Sequence, residues 1–458
     1  MHSLQNLSYS RIFLITILLL SFIPSYHSWY YQAYAEVTKA STSPGGPTIN
    51  DPTLRVELVF KGLKKPTTMA FLGPNDILVL EKNEGTVKRI VNGTMLPRSL
   101  LDVNVATQAE RGMLGIAVAP KHENKPIYVF LYYTESQTKD GDDITERKQP
   151  LGNRLYRYEF LNGKLVNPKL LLDLPAKERA FHNGGAIAIG PDNNLYFVAG
   201  SVASDKIAST SFRHDNGKIL NIKDGPEPDG RGGILRITQD GQPVGNGIIG
   251  NKFPLNLYYA YGIRNSFGID FDPITGKLWD TENGPTKNDE INLIEPGFNS
   301  GWKLVTGMSS NDNKFDLNDL EDFGGKGKYS DPEFTWNHTV APTAIKFLNS
   351  DKLGKRYEND LFVGDFNNGN LYHFDLNKKR TELSLKGPLH DKTAGDMDEI
   401  QKEDTIFGQG FGGISGKGDV TYEIGFGGIS DIKVSPDGYL YIISMGQGAI
   451  YRVAPVTN

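Results

Sequence analysis

From Leu54 onward, short apolar stretches alternate with clusters of Pro, Asp, Asn and Gly, and one hairpin pattern recurs six times. The copies begin at Leu72 ("LGPNDILVLEKNEGTVKRI"), Ala119 ("APKHENKPIYVFLYYT", with "GNRLYRYEF" after a long loop) and Gly190 ("GPDNNLYFVAG", with "RGGILRI" later). The others begin at Phe271 ("FDPITGKLWDTENGP", with "DEINLIEPG"), Arg356 ("RYENDLFVGDFNNGNLYHF") and Ser435 ("SPDGYLYIISMGQGAIYRV"). Each turn supplies residues that fix φ or tolerate positive φ, and each flanking run is short and rich in β-branched and aromatic residues. The later copies lie roughly 70–85 residues apart, longer than the ~40–50 of a minimal four-stranded propeller blade, so inserted loops account for the excess. Six repeats without a notable amphipathic helix predict an all-β fold, a six-bladed β-propeller, over a paired β-sandwich or a β-helix. No linker interrupts the chain after Asn50, so residues 51–458 read as one domain. A propeller gathers loops at one end of its central channel, which is the default binding site.

The N-terminal 35 residues read differently. Arg11 precedes an apolar run, Ile12 to Pro24, shorter than the roughly 20 residues of a membrane span. Ala33-Tyr34-Ala35 follows as a small-x-small cleavage pattern, so the segment is expected to be an export signal or an uncleaved N-terminal anchor. Residues 36–50, ending in "STSPGGPTIN", read as a flexible linker. Asn92-Gly93-Thr94 and Asn337-His338-Thr339 are glycosylation sequons.

Composition narrows the chemistry. The 458 residues include 51 Gly, 21 Tyr and 23 Phe, which suits a turn-rich β protein. A net charge of −5 without a basic stripe argues against a nucleic-acid partner. Cysteine is absent, which excludes disulfides, thiolate metal sites and a Cys nucleophile. Electrons handled by this chain must pass through a non-covalent cofactor or an external partner.

The loops entering and leaving the hairpins carry polar constellations: "AERGMLGIAVAP" from Ala109, "FHNGG" from Phe181, "YGIRNSFGIDFDP" from Tyr261 and "TENGPTKNDEINLIEPGFNSGW" from Thr281. These stretches, in this order, resemble the quinoprotein glucose/sorbosone dehydrogenase family, which includes the soluble aldose sugar dehydrogenases. The resemblance runs from about Leu54 to Val453. It implies a six-bladed propeller that binds pyrroloquinoline quinone and Ca²⁺ at the channel mouth and oxidises a sugar or related alcohol at its hydroxyl-bearing carbon, with an external electron acceptor. It implies His182 as general base, for which an imidazole is suited. Arg264 would stabilise charge on the reduced oxygen, with Asn265 as a neighbouring cofactor contact. The carbonyls of Gly284 and Pro285 would hold the cofactor's Ca²⁺, and Glu290, beside Asp289, a second structural Ca²⁺.

The chain also departs from the pattern. Asn367 stands where the sugar dehydrogenases place a Lys, and Gly428 and Ser430 where they place two Arg that clamp the cofactor's carboxylates. Glu110 stands where some members have Gln, still a candidate cofactor contact, and Ser201 where an Asp is common. Arg111, Lys206, Arg213 and Lys433 are the nearby cations that could substitute. Two other readings stay open: a non-catalytic extracellular propeller binding glycan or protein, and a Ca²⁺-dependent hydrolase, for which Glu110 and Asp365 are the acidic channel candidates. "GFGGISGKGD" from Gly410 lacks the Gly and Ser/Thr of a phosphate loop, and no His-Glu-x-x-His or Gly-x-Ser-x-Gly motif occurs. Asn311–Asp322 reads as a solvated acidic loop.

Overall fold

Each of the six quoted hairpins forms the middle of a separate sheet. The computed structural model describes residues 46–456, apart from 122, 124–125, 178, 203–216, 224, 312–315, 397–398, 401–404 and 413–427. The export segment, most of the linker, Lys206, Arg213 and most of the Gly410–Asp419 stretch lie outside the described residues. No helix among the described residues is long and apolar enough to cross a membrane. Among the described residues, helix is confined to short turns such as Asp142–Thr145.

The protein is an all-β propeller, and its described strands fall into six sheets. Their innermost strands are Pro66–Gly73, Met113–Val118, Ile187–Ile189, Ser266–Phe271, Pro342–Phe347 and Ile429–Val434. Each inner strand touches the inner strand of the next sheet, and the last touches the first. The sheets therefore form a closed ring around a channel. The channel is open over about 630 Å³ near the C-terminal ends of these strands, where Phe71, Val118, Ile189, Asp270, Lys346 and Lys433 line it.

The second strand of each sheet is sandwiched between two neighbouring sheets. Leu195–Ala199, Leu361–Asp365 and Leu440–Ser444 are buried at every position, which is why they read as continuous apolar runs rather than alternating ones. Trp279, Phe334, Trp336, Tyr372 and Phe374 fill one inter-sheet layer, with Phe334 and Trp336 edge-to-face at 4.8 Å. Burying each such side chain stabilises the fold by about 1.5–3 kcal/mol.

The ring closes by pairing the two ends of the described chain. Leu54–Lys61 adds to Ala449–Pro455 as the outer strand of the sixth sheet. Thr48–Ile49, expected within the flexible linker, instead pairs with Ile406–Gln409. That corrects the linker boundary: a two-residue strand supplies edge hydrogen bonds that the local composition does not announce. Between the sixth and first sheets, Asp431 Oδ2 accepts hydrogen bonds from Thr68 Oγ1 at 2.7 Å and the Met69 N–H at 2.9 Å. Asp270 uses the same device on the fifth sheet, accepting from the Phe347 N–H at 2.8 Å and Lys346 Nζ at 2.6 Å.

Losing a partner for a buried N–H costs about 1–3 kcal/mol. Asp431→Ala is therefore expected to destabilise the protein by about 2–4 kcal/mol in denaturant titration. A change below about 0.5 kcal/mol, the range of ordinary surface substitutions, would show that the closure does not depend on this carboxylate.

Candidate active site

All six inner strands begin at the same end of the ring, so the loops preceding them converge there. The His182 loop precedes the third inner strand. His182 sits in the left-handed region (φ 60), and Gly184 (φ 70) and Gly185 (φ 127) follow it. A Cβ on Gly184 would lie 2.3 Å from the Val198 carbonyl, so only glycine lets the loop press against the neighbouring strand. The His182 N–H donates to Glu110 Oε2 at 2.6 Å, and the same oxygen accepts from Asn265 Nδ2 at 3.1 Å. Asn265 Oδ1 accepts from the Gly184 N–H at 3.1 Å. Glu110 thus joins the loops of the second, third and fourth sheets. Burial pushes its carboxyl up, against the pull of these donors and of Arg264.

His182 is 3% exposed, and its Nδ1 lies 3.3 Å from the Ser201 Oγ. Burial, then the charges of Arg264 and Lys303, hold the imidazole well below its usual value. The ring is therefore neutral at physiological pH and able to accept a proton.

Arg264 is fixed on three sides. Its N–H donates to Glu282 Oε1 at 2.5 Å, one guanidinium nitrogen donates to the Asn283 carbonyl at 2.8 Å, and the guanidinium lies 5.5 Å from the Trp302 ring. The sequence reading missed Lys303, whose charge bears on His182 alongside Arg264. It also missed Lys82, buried beside Glu110, with Nζ donating to the Ala109 carbonyl at 2.8 Å. Burial and the neighbouring Lys65 lower Lys82 to about 8, against the pull of Glu110 and Asp143.

Behind Arg264, strand alternation puts four polar side chains on one buried face. Asp280 faces Asn292, and Glu282 faces Glu290, across an antiparallel pair. Burial raises Asp280 to about 7 and Glu290 to about 8; burial, Glu290 and Asp280 raise Glu282 well above its usual value. Glu290 Oε1 accepts from the Gly307 N–H at 2.6 Å, and Ser300 Oγ donates to Glu282 Oε2 at 2.6 Å. Asn283 Oδ1 and Asn292 Oδ1 are buried without a hydrogen-bond partner. These carboxyls and amide oxygens are oxygen donors, the class a hard cation such as Ca²⁺ prefers, but the oxygens of the three carboxyls are not all gathered within ligating reach of one another. Gly284 and Pro285 lie in the adjoining turn. Asp289 holds that turn by accepting from the Gly284 N–H at 2.8 Å, and it ties in the next sheet's loop through Thr339 Oγ1 and the Val340 and Ala341 N–H groups.

Among the described residues, the three expected clamp positions on the opposite side of the mouth carry no cation. Asn367 is exposed, and its Nδ2 donates to the Thr339 carbonyl at 3.1 Å. A Cβ at Gly428 would fall 2.7 Å from both the Asp365 carbonyl and the Gly369 Cα, so backbone packing denies this position any side chain. Ser430 Oγ donates to the Pro66 carbonyl. Two proposed substitutes are corrected. Arg111 is buried in an ion pair with Asp143 at 3.1 Å and donates to the Ala176 carbonyl. Lys433 pairs with Asp431 at 3.0 Å and lines the far end of the channel. Asp365 is also removed as a metal candidate: its oxygens accept from the N–H groups of Asn368 and Gly369 and from Tyr372 Oη within its own turn.

The fold and this loop cluster define an all-β propeller with a buried, cation-flanked histidine at the ring's loop end. The sequence pattern of the Glucose / Sorbosone dehydrogenase family matches residues 63–394, and the chain belongs to that family. It is 24% identical over 407 residues to the aldose sugar dehydrogenase YliI of Escherichia coli, covering 88% of this chain and 93% of that protein. It is 29% identical over 265 residues to quinoprotein glucose dehydrogenase B of Acinetobacter calcoaceticus, covering 55% of this chain and 52% of that protein. The structure of the PQQ-bound aldose sugar dehydrogenase of Streptomyces coelicolor aligns with a TM-score of 0.59 at 23% identity, covering 90% of this chain and 99% of that one, a likeness of fold.

The buried carboxyls make stability pH-dependent. Their folded pKa values are raised, so the folded state binds more protons than the unfolded state above the unfolded values of 3.8 and 4.5. Their contribution is complete below those values and is lost as pH rises through about 7 to 8. Chelator-treated protein should therefore show a Tm that falls by about several degrees between about pH 4.5 and 8 and levels off above that, the fall flattened by Glu290→Gln and by added Ca²⁺. An equal slope in all three samples would remove this cluster as its source.

Proposed function

We propose that this protein is an exported, quinone- and Ca²⁺-dependent dehydrogenase that oxidises an aldose sugar or related alcohol. The carrying observation is His182: a buried imidazole held neutral beside two cations where the loops converge. Family membership supports the oxidoreductase class, and the quinoprotein and aldose dehydrogenase relatives support the cofactor and substrate class. The closed order of the six inner strands supports counting each sheet as one of six blades. The N-terminal apolar run and small-x-small pattern support export, with membrane anchoring by that segment as the variant.

The donor set fits a flat anionic redox group on the Arg264 side of the mouth. Arg264 and Lys303 supply cations, the Gly284 and Pro285 carbonyls would hold the cofactor's Ca²⁺, and Glu290 would serve a second, structural Ca²⁺. Bound there, pyrroloquinoline quinone would supply a two-electron acceptor for the hydride from the sugar carbon, to be reoxidised by an external acceptor. The remaining work belongs to the chain. We assign the His182 imidazole, oriented by the Nδ1 contact with Ser201, to take the hydroxyl proton as the C–H bond breaks. Arg264 is pre-positioned by Glu282, Asn283 and Trp302, so its charge opposes developing negative charge without reorganisation. Lys303 stands in for part of the clamp missing at Asn367, Gly428 and Ser430.

The test is aldose-dependent dye reduction by protein supplied with the quinone and Ca²⁺. His182→Ala should lower turnover by about 10²-fold or more, as loss of a general base does. Because the imidazole pKa is lowered, the acid limb of kcat/KM should fall below pH 6.5. Turnover unaffected by His182→Ala would overturn the assignment. A folded protein that takes up no quinone would leave the family fold without its redox reaction.

A further inference from the structure

A second constellation lies on the fifth sheet, at the opposite end of its hairpin from Asn367. Asp360 immediately precedes the strand Leu361–Asp365, and Asp375 immediately follows Leu371–Phe374, which carries His373. Antiparallel pairing brings the three together. His373 Nε2 lies 3.0 Å from Asp360 Oδ2 and 3.6 Å from Asp375 Oδ1. One donor atom from each residue lies within 4.8 Å of the other two. We propose that Asp360, His373 and Asp375 bind one first-row divalent metal ion, with Zn²⁺ the best match.

Three observations carry this. The first is spacing. A metal about 2.0–2.2 Å from each nitrogen or oxygen ligand holds those ligands about 3.0–3.5 Å apart. The separations of 3.0 and 3.6 Å sit close to that range. The second is charge. Two carboxylates share one imidazole, with one donor atom from each of the three within 4.8 Å of the others. A divalent cation would relieve this like-charge crowding. The third is preorganisation. The rings of Tyr357 and Phe362 each lie 5.1 Å from the imidazole and that of Phe407 6.0 Å, so the ring plane is set by packing while its Nε2 edge faces the carboxylates. The imidazole ligand separates this site from the all-oxygen set around Glu290: mixed nitrogen and oxygen donors favour Zn²⁺ or its neighbours over Ca²⁺.

Asp375 is 56% exposed, so Asp375→Asn should leave the fold intact, checked by circular dichroism. The full-length protein is stripped with chelator, returned to excess Ca²⁺ and titrated calorimetrically with Zn²⁺; Co²⁺ serves as the absorbing probe in a parallel titration. Wild type should take up one equivalent of Zn²⁺ despite the Ca²⁺, and give a Co²⁺ visible spectrum. Asp375→Asn and His373→Gln should each weaken this uptake by about tenfold or more. The proposal is overturned if Ca²⁺-loaded wild type binds no Zn²⁺, or if both variants bind as wild type does, which would place the ion on other histidines and leave an ordinary His–Asp ion pair here.

Discussion

The closure of the ring sets everything else in place. Leu54–Lys61 completes the sixth sheet from the other end of the chain, and Asp431 ties that sheet to the first. Each sheet repeats the same order with its inner strand first, and the late residues of all six inner strands line one opening, so these strands start at one end of the ring and finish at the other. Loops distant in sequence, around Glu110, His182, Arg264 and Gly284, therefore meet. The same closure packs adjacent backbones so tightly at Gly428 that a side chain is refused there.

Electrostatics at the loop end follow from that burial. Removing His182 from water favours its neutral form, and Arg264 and Lys303 reinforce the effect. Removing Asp280, Glu282 and Glu290 from water favours their protonated forms. A cation placed among these carboxyls would displace protons and gain oxygen ligands, so metal binding and pH response are coupled in this region. Glu110 occupies neither role: its carboxylate is a staple among three loops, which fixes the His182 backbone in its left-handed conformation.

The six hairpins were legible because turn residues and β-branched runs are local signals, and they correspond to strands such as Asp76–Glu81 with Thr86–Val91 and Leu440–Ser444 with Ala449–Pro455. The inner strands were less so, since Ile187–Ile189 spans three residues, and the closing strand Leu54–Lys61 has a partner nearly 400 positions away. His182, Arg264, Asn265 and Gly284 were legible through motifs, and the structure gathers them. Lys303 and Lys82 were not, because their relevance arises from proximity in the folded chain. The missing clamp was visible at Asn367, Gly428 and Ser430. Its physical cause, backbone packing at Gly428, was visible only in three dimensions. Asp360, His373 and Asp375 are likewise joined only by strand pairing.

The central claim is that the half-site around Arg264 and Lys303 still holds the quinone. Calorimetric titration of pyrroloquinoline quinone into Ca²⁺-loaded protein tests it most directly, with Lys303→Ala in parallel. The account predicts a single site of about micromolar affinity or tighter in wild type, weakened at least tenfold by Lys303→Ala. Absence of binding to folded, Ca²⁺-loaded wild type would contradict it.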